Sequence, residues 1–413
     1  MSKKETELVN VIYEEENLIH EGTEIIQDCQ KIQSETKCNL IISNDLTTLH
    51  FLLEYIKNIY PKTKFVLVVN GRSAENTINY IKECGFKSLF LNACIYTRNK
   101  NKYLNYQKEN SEFITKISLD VRGVINFIKD GSKLIKDNPD NFSIKTLINF
   151  ESYKEEYFQL HKQLSTYYGN VSKDVFGVFF NDIQEFIKKD NLLKEKNEII
   201  NCFQAFSSLK DKNFTNLICT YLKYYSFSRY LNSLLMKKDL SIYKFISYFA
   251  GNLMYSIVKY GKEEFKGVDH GMTFYKGMQL NIIEVLEYLK NRDNLITFPS
   301  FLTITGKKML AELNSKGNKK FMFSVLMKIE YLYDDGYEPC VYDLTALQQY
   351  PDEEEYILLP FTFLHLKKIY FDLDKHTANI DLEIIGKQEI LEKKIIKGKN
   401  IEYDKEHHIM ISK

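Results

Sequence analysis

The rhythm of strand-like and helix-like segments changes twice along this chain, and that order limits what it can fold into. In the first third, five short β-rich apolar runs stand at Leu8–Tyr13, Asn39–Ser43, Phe65–Val69, Ser88–Ile95 and Ile114–Leu119. Between most of them lie segments with helical periodicity: Leu18–Gln30, Leu46–Ile59, Ala74–Cys84 and Val121–Ile135. Strands alternating with helices require right-handed crossovers, which give a parallel sheet covered on both faces. Residues 1–140 are therefore expected to form a doubly wound α/β domain, with Gly131–Asn141 as the linker.

From about residue 142 to 265 the strands stop. Tyr153–Tyr168, Phe176–Lys189, Lys194–Leu209, Phe214–Met236 and Ser241–Lys259 are long amphipathic stretches, with apolar residues such as Leu217, Tyr221, Tyr224, Phe227 and Leu231 at helical spacing. Residues 141–265 read as a helical lobe. From about 272 strands return at Thr273–Lys276, Leu295–Thr305, Lys320–Glu330, Glu355–Phe363 and Ala378–Ile385, with short helices at Ile282–Asn291 and Lys307–Asn314. This lacks a βαβ rhythm, so residues 266–395 read as an α+β sheet domain, followed by a polar tail over 396–413. The fold class is thus α/β plus α+β.

A chain of 413 residues is long enough for two or three domains. Its formal net charge of +1 lacks the basic surplus that nucleic acids and anionic membranes attract, so neither is expected as a partner. The seven cysteines are scattered without Cys-x-x-Cys spacing, which favours reduced thiols over a disulfide framework or a zinc site. The start of the chain lacks the apolar run of a signal peptide, and no stretch reaches the roughly 20 apolar residues of a spanning helix. A cytoplasmic protein is expected.

The residues that point to chemistry lie in the last third. Tyr350-Pro-Asp-Glu-Glu-Glu-Tyr-Ile-Leu-Leu-Pro360 puts three carboxylates at the mouth of an apolar run. Side chains on a strand alternate faces, so a strand through this segment aims Glu353 and Glu355 the same way. Two carboxylates so placed repel, which raises the proton affinity of one of them. Upstream, Thr273-Phe-Tyr-Lys-Gly277 presents one cation beside a glycine, and Phe298-Pro-Ser-Phe-Leu-Thr-Ile-Thr305 mixes aromatic and hydroxyl residues. A cation, a hydroxyl and a carboxylate pair suit a nucleotide substrate that develops positive charge at a sugar carbon.

In order and spacing these segments resemble the mono-ADP-ribosyltransferases of the Arg–Ser–Glu type, over roughly residues 142–390. Glu353-x-Glu355 with its apolar run and proline is similar to the family's Glu-x-Glu strand. Phe298–Thr305, with Ala311 beyond it, resembles the Phe-x-Ser-Phe-Thr-Ser-Thr-Ser segment, and Tyr275-Lys276-Gly277 the Tyr-Arg-Gly. Tyr221–Asn232 is similar to the helix that precedes the catalytic sheet in eukaryotic members. Lys276 stands where the family has arginine, and Thr303-Ile304-Thr305 where it has Ser-Thr-Ser. The resemblance implies a helical lobe joined to a split mixed β-sheet core, and transfer of ADP-ribose from NAD to arginine on a protein target. It also implies NAD as substrate and no metal.

On this reading Glu355 stabilises an oxocarbenium-like ribose and holds a ribose hydroxyl. Glu353 accepts a guanidinium and helps deprotonate the attacking nitrogen. Thr303 donates a hydroxyl that fixes Glu355, and Lys276 holds the NAD diphosphate or ribose. Tyr275, Gly277 and Thr305 complete the NAD contacts, and Tyr350 lies on the loop that meets the protein target. Two alternatives use the same residues: a catalytically decayed transferase fold acting as a binding protein, motivated by Lys276 and Thr303, and an NAD glycohydrolase.

Two other motifs offer less. Val68-Val-Asn-Gly-Arg-Ser73 follows a strand and opens a helix, yet it has one glycine where a dinucleotide loop needs Gly-x-Gly-x-x-Gly. The five-strand pattern resembles a phospho-receiver or flavodoxin-like domain. However, Asn70 occupies the acceptor-aspartate position and forms no acyl phosphate, so a structural or partner-binding module is expected.

Overall fold

A computed structural model describes residues 10–14, 23–36, 38–132, 148–149, 154–169, 173–190, 195–207, 214–264, 266–268, 271–292, 294–317, 321–332, 339–348, 351–385, 401–404 and 409–412. Strands β1 (Asn10–Glu14), β2 (Asn39–Ser43), β3 (Phe65–Asn70), β4 (Phe90–Tyr96) and β5 (Ile114–Ser118) form a parallel sheet in the order β2-β1-β3-β4-β5. Helices α1 (Thr23–Thr36), α2 (Leu46–Ile59), α3 (Ala74–Glu83), α4 (Lys100–Glu109) and α5 (Val121–Ser132) follow the successive strands. Helix α2 has the bounds its periodicity predicts. Asp45 caps it by accepting from the Thr48 amide at 2.7 Å, and Leu49, Leu52, Leu53 and Ile56 form its buried stripe. Helix α4 was not expected; of its ten residues only Tyr103 is buried, so it carries almost no apolar stripe.

The middle of the chain is helical: α6 (Lys154–Ser165), α7 (Lys173–Lys189), α8 (Lys196–Gln204), α9 (Phe214–Lys223), α10 (Tyr225–Met236) and α11 (Leu240–Glu263). The single stretch expected over Phe214–Met236 breaks at Tyr224 into α9 and α10. Helix α11 is buried at most positions from Ile242 to Gly261 and is the axis of the lobe's core. A short strand, β6 (Ile148–Asn149), lies within the range expected to be helical and pairs with the large sheet instead.

The large sheet is mixed. Its strands are β6, β7 (Met272–Asn281), β8 (Leu295–Thr297), β9 (Leu302–Thr305), β10 (Met322–Tyr331), β11 (Val341–Asp343), β12 (Glu355–Leu358), β13 (Phe363–Asp372) and β14 (Thr377–Ile384). They run in the order β11-β12-β9-β7-β10-β14-β13-β8-β6. Strands β8 and β9 are only the four residues 298–301 apart in sequence, yet four strands separate them in this order. Five steps across a flat sheet cover about 24 Å. Five residues of chain reach about 18 Å at most. The sheet must therefore curl until its two sides meet at Phe298–Phe301. It is also split: β7 and β9 are paired at Tyr275 and Thr305 alone. Helices α12 (Ile282–Lys290) and α13 (Lys308–Ser315) pack on it, and β15 (Ile401–Asp404) and β16 (Ile409–Ser412) form a separate hairpin.

One hydrophobic core runs through both the parallel sheet and one face of the curled sheet. Phe51 of α2 places its ring 5.5 Å from Phe321, 5.6 Å from Phe323 and 5.2 Å from His376. Beside this contact Lys290 and Glu287 of α12, 4% and 8% exposed, form an ion pair at 2.6 Å, and Lys290 Nζ donates to the Leu40 carbonyl at 3.3 Å. A buried pair of this kind needs its extra hydrogen bonds to offset lost hydration. Asn291 supplies one, donating to Glu287 Oε1 at 3.3 Å.

Candidate active site at the junction of the split sheet

Strands β9 and β12 are antiparallel, with Glu355 opposite Thr305 and Ile357 opposite Thr303. Directly opposed residues share a face, so Glu355, Thr303 and Thr305 all point to one side. Across the junction, Lys276 of β7 extends its Nζ to Thr303 Oγ1 at 2.9 Å. Lys276 and Glu355 are both half-buried.

That setting perturbs both charges. Loss of hydration pushes the Lys276 ammonium below the usual lysine value, against the attraction of Glu355. Loss of hydration pushes Glu355 above the usual carboxylate value; Lys276 opposes this and Glu353 adds to it. A carboxylate, an ammonium and a hydroxyl from three strands thus lie together and sense one another. Such a set can bind a polar, phosphate-bearing ligand and stabilise positive charge beside it.

Two expectations need correction. Glu353 is not on a strand with Glu355: it ends the 3₁₀ turn Pro351–Glu353, and Glu354 has a left-handed φ of 45°. Exposed Glu353 reaches Glu355 through space, not through strand alternation. Second, Thr303 accepts from Lys276, whereas the side-chain donor on Glu355 is Gln348, whose Nε2 donates to Glu355 Oε2. The Thr305 hydroxyl donates to the Glu353 carbonyl at 2.8 Å and accepts from the Lys307 amide at 3.0 Å, and so helps to build the turn.

Lys307 braces the same turn, pairing with Glu354 at 3.3 Å and donating to the Asp352 carbonyl. Tyr275 is half-buried at the β7–β9 junction. Gly277 faces helix α13: a Cβ there would lie 1.6 Å from the Ala311 carbonyl oxygen. Its place in the sequence reflects a close helix–strand approach. Tyr350 lies outside the described residues.

Two residues of the site carried no separate signal in the sequence. Gln348 sits in a short mixed segment without clear periodicity. Asn232, within the Tyr221–Asn232 segment, accepts from the Phe301 amide at 3.1 Å and donates to the Tyr221 hydroxyl at 2.8 Å. It anchors helix α10 to the connection that closes the curled sheet. Tyr221, fully buried, has its proton affinity raised by burial, with Glu355 adding to the shift.

No protein-family model and no curated protein sequence matches this chain. Solved structures do. The Vis toxin, an ADP-ribosyltransferase from Vibrio splendidus, is similar over 52% of this chain and 88% of its own, at 15% identity and a TM-score of 0.30. Exoenzyme S from Pseudomonas aeruginosa, solved with human 14-3-3 protein beta and carba-NAD, is similar over 58% and 98%, at 10% identity and a TM-score of 0.29. An ADP-ribosyltransferase from Clostridium botulinum is similar over 42% and 86%, at 10% identity and a TM-score of 0.29. These likenesses are remote.

Proposed function

We propose that this chain transfers ADP-ribose from NAD to arginine on a protein target, releasing nicotinamide. The observation that carries the reading is the meeting of Lys276, Thr303 and Glu355 across the β7–β9–β12 junction. The donor set fits NAD: an ammonium suits a diphosphate, and a carboxylate in poorly hydrated surroundings suits a sugar that becomes cationic. NAD supplies a pyridinium leaving group that is already positively charged, so no strong general acid is needed. Glu355 opposes the positive charge that grows at the ribose. Lys276, held by Thr303, binds the diphosphate or ribose. Exposed Glu353, on its braced turn, accepts the guanidinium and takes its proton.

Tyr275 is assigned to the nucleotide contact and Tyr350 to the target. The supporting helices fall in residues 141–265 and the catalytic strands in 266–395. The strand order of the parallel sheet supports reading residues 1–140 as a receiver/flavodoxin-like unit with a structural or partner-binding role. Among the described residues no helix is long and apolar enough to cross a membrane.

The test is incubation with labelled NAD and an arginine analogue, scoring nicotinamide release and analogue modification, with Glu355→Gln as control. Release and modification that vanish in the control support the proposal. Silence from folded protein in both measurements overturns it, and release without modification replaces transfer by NAD hydrolysis.

A further inference from the structure

The carboxylate of Glu355 is held by a residue seven positions earlier in the chain. Gln348 follows the 3₁₀ turn Thr345–Leu347, and its Nε2 donates to Glu355 Oε2. This short segment is pinned from several sides. The Leu344 amide donates to the Glu355 carbonyl at 3.2 Å, which lays the segment alongside the start of β12. The Thr345 amide donates to Asp343 Oδ1 at 2.9 Å, and the Leu347 and Gln348 amides close the turn onto Leu344 and Thr345 at 2.9 and 3.3 Å. Cys219 of α9 contacts the Leu347 carbonyl at 3.7 Å. The backbone that carries Gln348 is thus fixed by the same strand that carries Glu355.

The amide itself is oriented by that one carboxylate. Gln348 Oε1 is buried and has no hydrogen-bond partner among the described residues. Turning the amide over would set its carbonyl oxygen against the carboxylate, replacing an attraction by a repulsion. Burial and Glu353 both favour the protonated form of Glu355, and Lys276 favours the ionised form; a hydrogen-bond donor on a carboxylate oxygen acts in the same direction as Lys276.

We propose that Gln348 is the positioning residue for Glu355: its amide, on a backbone that β12 itself holds, fixes the carboxylate beside Lys276 and Thr303, whereas Thr303 makes no hydrogen bond to Glu355 among the described residues. This rests on the reading of Glu355 as the charge-stabilising group. Two variants test it. Gln348→Met keeps length and loses the donor; Gln348→Glu replaces the donor by a second negative charge. The acid limb of nicotinamide release should move to higher pH in the order wild type, Met, Glu. For the Met variant, the loss of rate at low pH should exceed the loss at high pH by about ten-fold, the worth of a hydrogen bond to a charged group. A merely structural role would lower the rate by the same factor at every pH.

A second readout needs no turnover. Carbon-13 NMR follows the glutamate carboxyls through a pH titration, with the Glu355 resonance assigned by its loss in Glu355→Gln. In Gln348→Met its midpoint should rise. A risen midpoint with a wild type that leaves NAD intact supports the pairing and overturns the transferase reading. An unmoved midpoint in folded Gln348→Met overturns the pairing, whatever the enzyme does to NAD.

Discussion

Gly277→Ala separates a packing glycine from a nucleotide-binding one. The added Cβ would stand 1.6 Å from the Ala311 carbonyl oxygen, 2.6 Å from its carbonyl carbon and 2.9 Å from the Ser315 amide nitrogen. Carbon and oxygen normally approach no closer than about 3.3 Å, so helix α13 must retreat by about 1.7 Å. Both sides of this contact are backbone, and no rotamer change relieves it. Overpacking costs about 1–3 kcal/mol, and this contact belongs at the upper end. Because Lys307 immediately precedes α13 and braces Asp352 and Glu354, the shift also disturbs the turn that precedes Glu355. Urea unfolding followed by circular dichroism should show a loss of about 3 kcal/mol, alongside a fall in turnover. A glycine needed only to admit the nucleotide would give raised KM with stability untouched, and that result would refute the packing account.

Glu355→Gln should reduce nicotinamide release by about 100-fold or more. Its effect on stability has the opposite sign. A carboxyl whose proton affinity is raised by folding costs stability as pH rises from its unfolded to its folded value, so removing it should stabilise the protein above that window. Thermal unfolding at a series of pH values checks this, with the gain shrinking as pH falls through the window; a gain equal at all pH values would contradict it. Lys276→Arg should tighten NAD binding by about ten-fold, since guanidinium grips a diphosphate with a planar fork. In the wild type, affinity should fall as pH rises through the depressed Lys276 value, whereas the arginine variant should stay flat; calorimetry reads both. Lys290→Met should cost about 3–5 kcal/mol by leaving Glu287 buried without its cation, and the double change with Glu287→Leu should recover most of it in chemical denaturation.

The sequence reveals features that arise from local repetition. Helix α2 is legible to the residue because Asp45 caps it and its apolar stripe is regular. Helix α4 is not, since its surface contacts leave little pattern. At the site, Lys276, Thr303 and Glu355 are visible as short motifs in order, and the fold brings them together. The turn before Glu355 is hidden because glutamate seldom adopts the left-handed backbone that Glu354 has, so the triplet reads as extended. Partner choice is also hidden. Whether a threonine holds a carboxylate, a lysine or a neighbouring carbonyl depends on strand register, and the same dependence conceals Gln348.

The contact of Phe51 with Phe321 and Phe323 has a consequence for biosynthesis. Residues 10–132 contain every strand of the parallel sheet and are synthesised before the strands of the curled sheet that cover Phe51. The aromatic surface around Phe51 must then wait for about 190 further residues before its cover is made. At about 5–20 residues per second this delay lasts roughly 10–40 s. A nascent chain carrying an uncapped aromatic surface for that time is exposed to misassembly, and its yield should depend on translation speed.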